Sequence, residues 1–214
     1  MIIRSFSLLV AALASAVPSV SFAAVAASFS LPQTPCCAGL VNGVDGFDFT
    51  PRTDIIVTAL GWYDHGADGL NNPHPVGIYL TATQQLVAPA ATVTTQSPLD
   101  TATSFRFEPI APLTLSANVT YTIVGYGAGP NWDLYVTNPA GGVAFDPSIT
   151  YNRWRTAAAS GLQFPTTAGQ NGVVQQLFFA ANFQLTPVPE PSSLLLLGSG
   201  ALLLLARARR PRSH

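Results

Sequence analysis

The run Asp64-His65-Gly66-Ala67-Asp68-Gly69-Leu70-Asn71-Asn72-Pro73-His74 puts two carboxylates, two imidazoles and two amides into eleven positions. Oxygen donors this dense on a loop suit calcium, which takes carboxylates, amides and backbone carbonyls. The spacing Asp-x-x-x-Asp-Gly is not that of an EF-hand, so Asp64 and Asp68 are candidate calcium ligands by donor type alone. The plain alternative is that Asp64, Asp68 and Asn71 hold loop amides in Asx-turns. Zinc through His65 and His74 would lack the further ligands that complete a tetrahedral site.

As a catalytic base, His74 would need a nucleophile and an orienting partner. Neither Gly-x-Ser-x-Gly nor His-Glu-x-x-His occurs in the chain. Cleavage of a glycosidic bond needs a pair of carboxyl groups. The chain has only two glutamates, Glu108 and Glu190, so such an enzyme would rest on Glu108 or on aspartates. Rings are a third resource: Trp62, Tyr63, Tyr126, Trp132, Tyr135, Tyr151 and Trp154. Most will serve packing. Trp132 and Trp154, in surroundings rich in Gly, Pro and Asn, are the candidates for exposure and sugar contact, together with Arg153 in Tyr151-Asn152-Arg153-Trp154-Arg155.

The adjacent pair Cys36-Cys37 has no other cysteine to join. Neighbouring Cα atoms lie ~3.8 Å apart, against ~4.4–6.8 Å for an ordinary disulfide. A strained vicinal bridge, intermolecular links, free thiols and a metal all stay open.

The elements that must position these groups are strands. Residues 28–187 lack helical periodicity, and short apolar-alternating runs are separated by Gly, Pro and Asn. Phe105 and Phe107 alternate with Ser104, Arg106 and Glu108; Val119, Tyr121 and Ile123 alternate with threonines. Leu177, Phe179, Ala181, Phe183 and Leu185 form a third such run. Ile55 to Trp62 is apolar on both faces and reads as an interior strand. Val76–Leu80, Leu86–Val93 and Trp132–Val136 complete about eight strands, enough for two antiparallel sheets face to face. The expected fold is an all-β antiparallel sandwich, jelly-roll or immunoglobulin-like. Asn118, just before a strand, is expected to take the left-handed conformation of a tight turn.

Composition narrows the partners. The chain has no lysine, which removes Schiff-base chemistry and a P-loop. Five of its nine arginines lie near the termini; residues 28–189 hold four arginines against nine acids, a net charge of −5. A phosphate backbone needs several cations to displace its counterions, so nucleic acid is not an expected partner.

The termini read as targeting segments. Arg4, an apolar stretch from Phe6 to Val17, and small residues at Ser21-Phe22-Ala23 and Ala24-Val25-Ala26 have the order of a leader read by signal peptidase, covering residues 1–27. The cut is expected between Ala23 and Ala27. At the other end, Pro189-Glu190-Pro191 precedes a leucine-rich stretch and then Arg207, Arg209, Arg210 and Arg212. As a helix, Ser192–Ala206 would span roughly 22 Å, short of the ~30 Å hydrocarbon core. With arginines held on the cytoplasmic side, it suits a transient membrane stop that is later processed.

This order of Pro-Glu-Pro, leucine helix and arginine cluster over residues 188–214 resembles the PEP-CTERM sorting signal. The resemblance implies recognition and cutting by an exosortase in a Gram-negative bacterium that makes exopolysaccharide. It also implies a protein anchored in the membrane during sorting and then carried to the cell surface or extracellular matrix. A second resemblance lies in Leu60-Gly61-Trp62-Tyr63-Asp64, Asp68-Gly69-Leu70, His74 before Val76-Gly77-Ile78, Leu86-Val87-Ala88, and Pro109 to Tyr121. These are similar to a family of secreted domains of unknown function, which implies a β-sandwich and no established activity. Asn118 stands where that family usually has Gly, and Thr81–Gln85 lacks its usual Asp-Gly turn.

The expected function is therefore that of an exported, non-enzymatic structural or binding protein, with extracellular polysaccharide as the partner and no obligatory cofactor. The alternative is a secreted glycan hydrolase with a calcium-stabilised loop at Asp64–His74.

Overall fold

Phe47 and Phe49 alternate with Gly46, Asp48 and Thr50, and that alternation turns one side of the segment to a dry interior and the other outward. The same rule divides most of the chain. The computed structural model describes residues 23–33, 42–127, 133–173 and 178–188. In chain order its strands are β1 (Ala24–Val25), β2 (Ala27–Ser28), β3 (Gly43–Pro51), β4 (Ile55–Tyr63), β5 (His74–Leu80), β6 (Gln85–Leu86), β7 (Ala91–Val93), β8 (Leu99–Asp100), β9 (Phe105–Leu115), β10 (Tyr121–Gly127), β11 (Val136–Thr137), β12 (Ala144–Phe145), β13 (Ile149–Ala158), β14 (Thr167–Ala168), β15 (Phe178–Phe179) and β16 (Ala181–Pro187). A single 3₁₀ turn, His65–Ala67, follows β4.

Two antiparallel sheets carry the fold. The smaller has five strands in the order β1-β16-β4-β9-β8. The larger has seven, in the order β14-β13-β3-β10-β5-β6, with β7 also on β5. They pack as a β-sandwich. Phe49 of β3 meets Phe183 of β16 across the gap, ring centroids 4.7 Å apart. Where Trp62 of β4 lies over Gly125 of β10, a Cβ would stand 2.4 Å from the indole ring, so only glycine fits. The other face of the smaller sheet is also apolar. Phe29 covers it, 5.4 Å from the ring of Tyr63 and 6.0 Å from that of Phe105. This is why β4 is apolar on both faces.

Several expectations hold. Ile55 to Trp62 is an interior strand between β16 and β9. Phe105, Phe107, Phe183 and Leu185 are buried as their alternation requires. Asn118 has φ +60, the left-handed turn expected of it. Others are corrected. Leu86–Val93 is not one strand: β6 and β7 are separate, and Pro89 between them has no N–H to give a ladder. Of Trp132–Val136, Tyr135 makes an isolated bridge and β11 begins at Val136; Trp132 lies outside the described residues. Two major strands of the larger sheet, β3 and β13, are absent from the sequence reading. Gly43, Asp45, Gly46 and Asp48 are poor strand formers, and tertiary pairing overrides that preference. The leader and tail helices expected from the sequence fall in residues outside the described ones. Ala24, Val25 and Ala27, counted with the leader, lie on β1 and β2, which pair with β16 and β12.

Candidate functional site

Two polar clusters remain once the core is assigned. The first is the loop Asp64–His74. Asp64 leaves the end of β4, and the β4–β9 register sets Trp62 opposite Arg106. Arg106 thereby reaches Asp64, donating from Nε to Oδ2 at 2.7 Å, while its Nη1 donates to the carbonyls of Thr95 and Ser97. The Gly69 amide donates to the same carboxylate at 3.2 Å. Asp64 thus does hold a loop amide, and it also holds a cation 42 residues away in sequence.

His74 opens β5, and its ring lies flat on Trp62 with centroids 3.9 Å apart and planes 3° apart. Its Nε2 is 2.8 Å from Asp133 Oδ2 and its Nδ1 is 3.2 Å from the Tyr126 carbonyl. Both ring nitrogens thus face oxygen partners, a backbone carbonyl and a carboxylate. Asp133 also accepts the amides of Asn71 and Asn72 at 2.7 and 3.0 Å. Burial pushes the Asp133 carboxyl up. The hydrogen bond from His74, the two amides and the charge on His74 outweigh burial and hold it below the usual carboxylate range.

Asp64, Asp68 and Asp133 line a cavity of about 130 Å³. Asp68 is exposed. Among the described residues, no group of three His, Cys, Asp or Glu is arranged to hold a metal ion. Cys36 and Cys37 lie outside them.

The second cluster lies on the outer face of the larger sheet. It depends on a β-bulge in β13: Tyr151 pairs with Phe49, but Arg153, not Asn152, pairs with Asp48. Strict alternation from inward Tyr151 would turn Arg153 and Arg155 into the core. The extra residue reverses the phase, so both arginines face out and Trp154 faces in. Asp48 sits between them. Its Oδ1 accepts Thr122 Oγ1 and Arg155 Nε, each at 2.6 Å. Arg153 Nε, itself buried, forms an ion pair with Oδ2 at 3.6 Å, beyond hydrogen-bond reach, and has no hydrogen-bond partner among the described residues. Asn152 donates to Thr50 at 2.9 Å, Thr50 and Thr120 share a hydrogen bond at 3.0 Å, and Thr81 and Thr122 another at 2.8 Å.

This face is half covered. Leu162 and Phe164, on the segment after β13, pack over Val44, Tyr79 and Val124. Phe164 meets Tyr79 edge-on at 5.8 Å, and the Arg155 guanidinium sits 4.8 Å from the Phe164 ring centre. Beyond Arg155 the face is open, as a cleft of about 610 Å³ lined by Asp48, Thr81, Thr120, Tyr151, Asn152, Arg153 and neighbours. Burial and the charge of Asp48 push the Tyr151 phenol well above its usual range, so it stays neutral and donates to the Val173 carbonyl at 3.0 Å.

Of the predicted sugar contacts, Arg153 lines this cleft. Trp154 is on the inner side, packed against the core and against Gly169, where a Cβ would stand 2.1 Å from the indole nitrogen. Sequence reasoning missed Asp48, Arg155 and the threonines. The signal for Asp48 and Arg155 was polar residues in phase on strands that were themselves not read; Thr120 and Thr122 lay in an alternation that was read, for its apolar side alone.

The fold and this cleft define a β-sandwich with one polar sheet face left open. The particular identification comes from the tail. A family model for the PEP-CTERM protein-sorting motif matches residues 187–210. It spans Pro189, Glu190, Pro191, Arg207, Arg209 and Arg210, which lie outside the described residues. The match supports an exported protein that an exosortase sorts and processes. No curated protein and no solved structure matches the chain. Among the described residues, no helix is long and apolar enough to cross a membrane.

Proposed function

We propose that this protein is a non-catalytic glycan-binding module, carried by its sorted tail to the cell surface or extracellular matrix of a Gram-negative bacterium. The binding surface is the open cleft on the larger sheet. One observation carries this reading: about 610 Å³ of concave surface lined by hydroxyls, an amide and a partly exposed arginine. Sugars are recognised by such groups when the scaffold holds them in place. Here the scaffold does so, because the threonines sit on paired strands and hydrogen-bond one another.

The hydrolase alternative would use His74 as its base. That ring is 2% exposed, and both of its nitrogens are hydrogen-bonded, to the Tyr126 carbonyl and the Asp133 carboxylate. A base needs a lone pair within reach of its substrate, so the geometry favours a structural part for His74.

The test is retention of the processed, secreted protein on the exopolysaccharide of its own producer. Retention that free polysaccharide competes away is the expected result. Passage through the matrix without delay would discard the reading.

A further inference from the structure

We infer that the cleft takes a carboxylated glycan, with Arg153 binding the carboxylate. This rests on the glycan-binding reading and names the class of its ligand. The inference starts from charge. Residues 28–189 carry a net −5, yet two of their four arginines line this cleft, facing one aspartate. Asp48 is matched by Arg155, whose Nε it holds at 2.6 Å. Arg153 is the surplus. Its Nε is buried 3.6 Å from Asp48, too far for a hydrogen bond, while its side chain as a whole is 35% exposed and lines the cleft.

A planar guanidinium with free donors fits a carboxylate with two parallel hydrogen bonds. Thr81, Thr120 and Asn152 around it supply neutral groups suited to sugar hydroxyls. A neutral sugar would leave the surplus charge without a counterpart. The acidic remainder of the surface repels polyanions, which favours the cleft as the place of such binding.

The experiment titrates the processed, secreted protein with polygalacturonate, dextran sulfate and neutral dextran at physiological ionic strength, where screening acts beyond about 8 Å. Polygalacturonate should bind, and the other two polymers should bind at least about tenfold more weakly. Arg153→Gln should weaken polygalacturonate binding about tenfold or more, and Arg153→Lys, which keeps the charge without the fork, should recover part of it. An unchanged Tm in both variants separates a lost contact from a lost fold. Tighter binding of dextran sulfate, or equal binding of dextran, overturns the carboxylate preference and leaves glycan binding standing. Polygalacturonate binding that Arg153→Gln does not change overturns the placement in the cleft. If no polymer binds, the inference falls; if the producer's own exopolysaccharide is not retained either, the functional reading falls with it.

A separate set of contacts bears on the leader. From these we infer that its peptide bond is hydrolysed between Ala23 and Ala24, water adding OH to the Ala23 carbonyl carbon and hydrogen to the Ala24 nitrogen. Ser21-Phe22-Ala23 and Ala24-Val25-Ala26 both offer small residues at the right spacing, but the fold tolerates only the first cut. Ala24 and Val25 pair with Leu185 and Gln184. Ala26 and Ala27 are 0% exposed. Ala26 donates to the Phe183 carbonyl and accepts from the Asp146 amide, while Ala27 exchanges hydrogen bonds with the Asn182 side chain.

A cut after Ala26 would place a new ammonium at a fully buried position, which is costly without a paired charge. A cut after Ala27 would leave the buried Asn182 amide without those partners. A cut after Ala23, which is exposed, leaves the whole pairing intact. Intact mass and N-terminal sequencing of the secreted protein should give Ala24 first. A start at Ala27 or Ser28 overturns the site, and a secreted chain still beginning at Met1 overturns the leader reading itself.

Discussion

The loop at Asp64–His74 and the cleft at Asp48 are built from the same parts, a buried aspartate and an arginine on a neighbouring strand, and they end differently. In the loop, the charged and imidazole groups meet oxygen partners: Arg106 on Asp64, Thr95 and Ser97, and His74 on Asp133 and Tyr126. In the cleft, one aspartate faces two arginines: it takes a hydrogen bond from Arg155, while Arg153 stands 3.6 Å off, partly exposed. A cluster that satisfies itself braces the fold. A cluster with a remainder has something to offer a ligand. The density of polar residues in the sequence pointed to the first; the second holds the open surface.

The largest expected effect comes from breaking the closed cluster. Asp133→Ala removes the acceptor of a buried ring and of two loop amides, and should cost about 3–5 kcal/mol of unfolding free energy at pH 7, read by chemical denaturation. A loss under about 1 kcal/mol would show that the cluster does not brace the fold. The acid limb of stability should change as well. The Asp133 carboxyl is held below its ordinary value of 3.8, so its contribution is full above that pH and is lost as pH falls through the folded value. Asp133→Ala should lack that part of the acid dependence.

Asp45 sharpens the comparison with the opposite sign. It sits on β3, 2% exposed, with one carboxylate oxygen unpartnered among the described residues. Burial pushes it up from 3.8 to about 7, against a hydrogen bond from Thr156. Below 3.8 both folded and unfolded forms are protonated. Between the two values only the unfolded chain ionises, so stability falls as pH rises, and above about 7 the loss is complete. Asp45→Asn should therefore gain on the parent from pH 4 to 7, by on the order of 4 kcal/mol at most. A gain that is flat with pH would show that Asp45 titrates normally.

The two arginines give the smallest and most direct contrast. Arg106→Gln breaks three hydrogen bonds at a largely buried site and should cost about 2 kcal/mol. Arg153→Gln, partly exposed and without a hydrogen bond at Nε, should cost under about 1 kcal/mol. Equal costs in thermal or chemical unfolding would erase the distinction between the two clusters.

Much of the framework was legible in the chain. The alternation at Phe105 and Phe107, and at Phe183 and Leu185, gave the faces of β9 and β16, and the two-sided apolar run gave β4 its interior place. The turn at Asn118 was legible because few residues with a side chain tolerate its backbone conformation. β3 escaped because its glycines and aspartates mimic a loop. The run Tyr151 to Arg155 was read for its chemistry and not as a strand, and the bulge within it left no local mark. That one bulge exchanged the two sugar-contact candidates on β13: Arg153 went out to the cleft and Trp154 went in to the core.

By itself, the sequence determined the sheet-forming character of the body and, through the motif at residues 187–210, its handling as a sorted, exported protein. Both are properties of short stretches, carried by alternation, composition and a contiguous motif. Only the tertiary structure decided which charges meet. His74 and Asp133 lie 59 residues apart, and Arg155 and Asp48 lie 107 apart. Pairings of that range follow from strand order and register, and a single added residue on one strand reverses which side chains face the core.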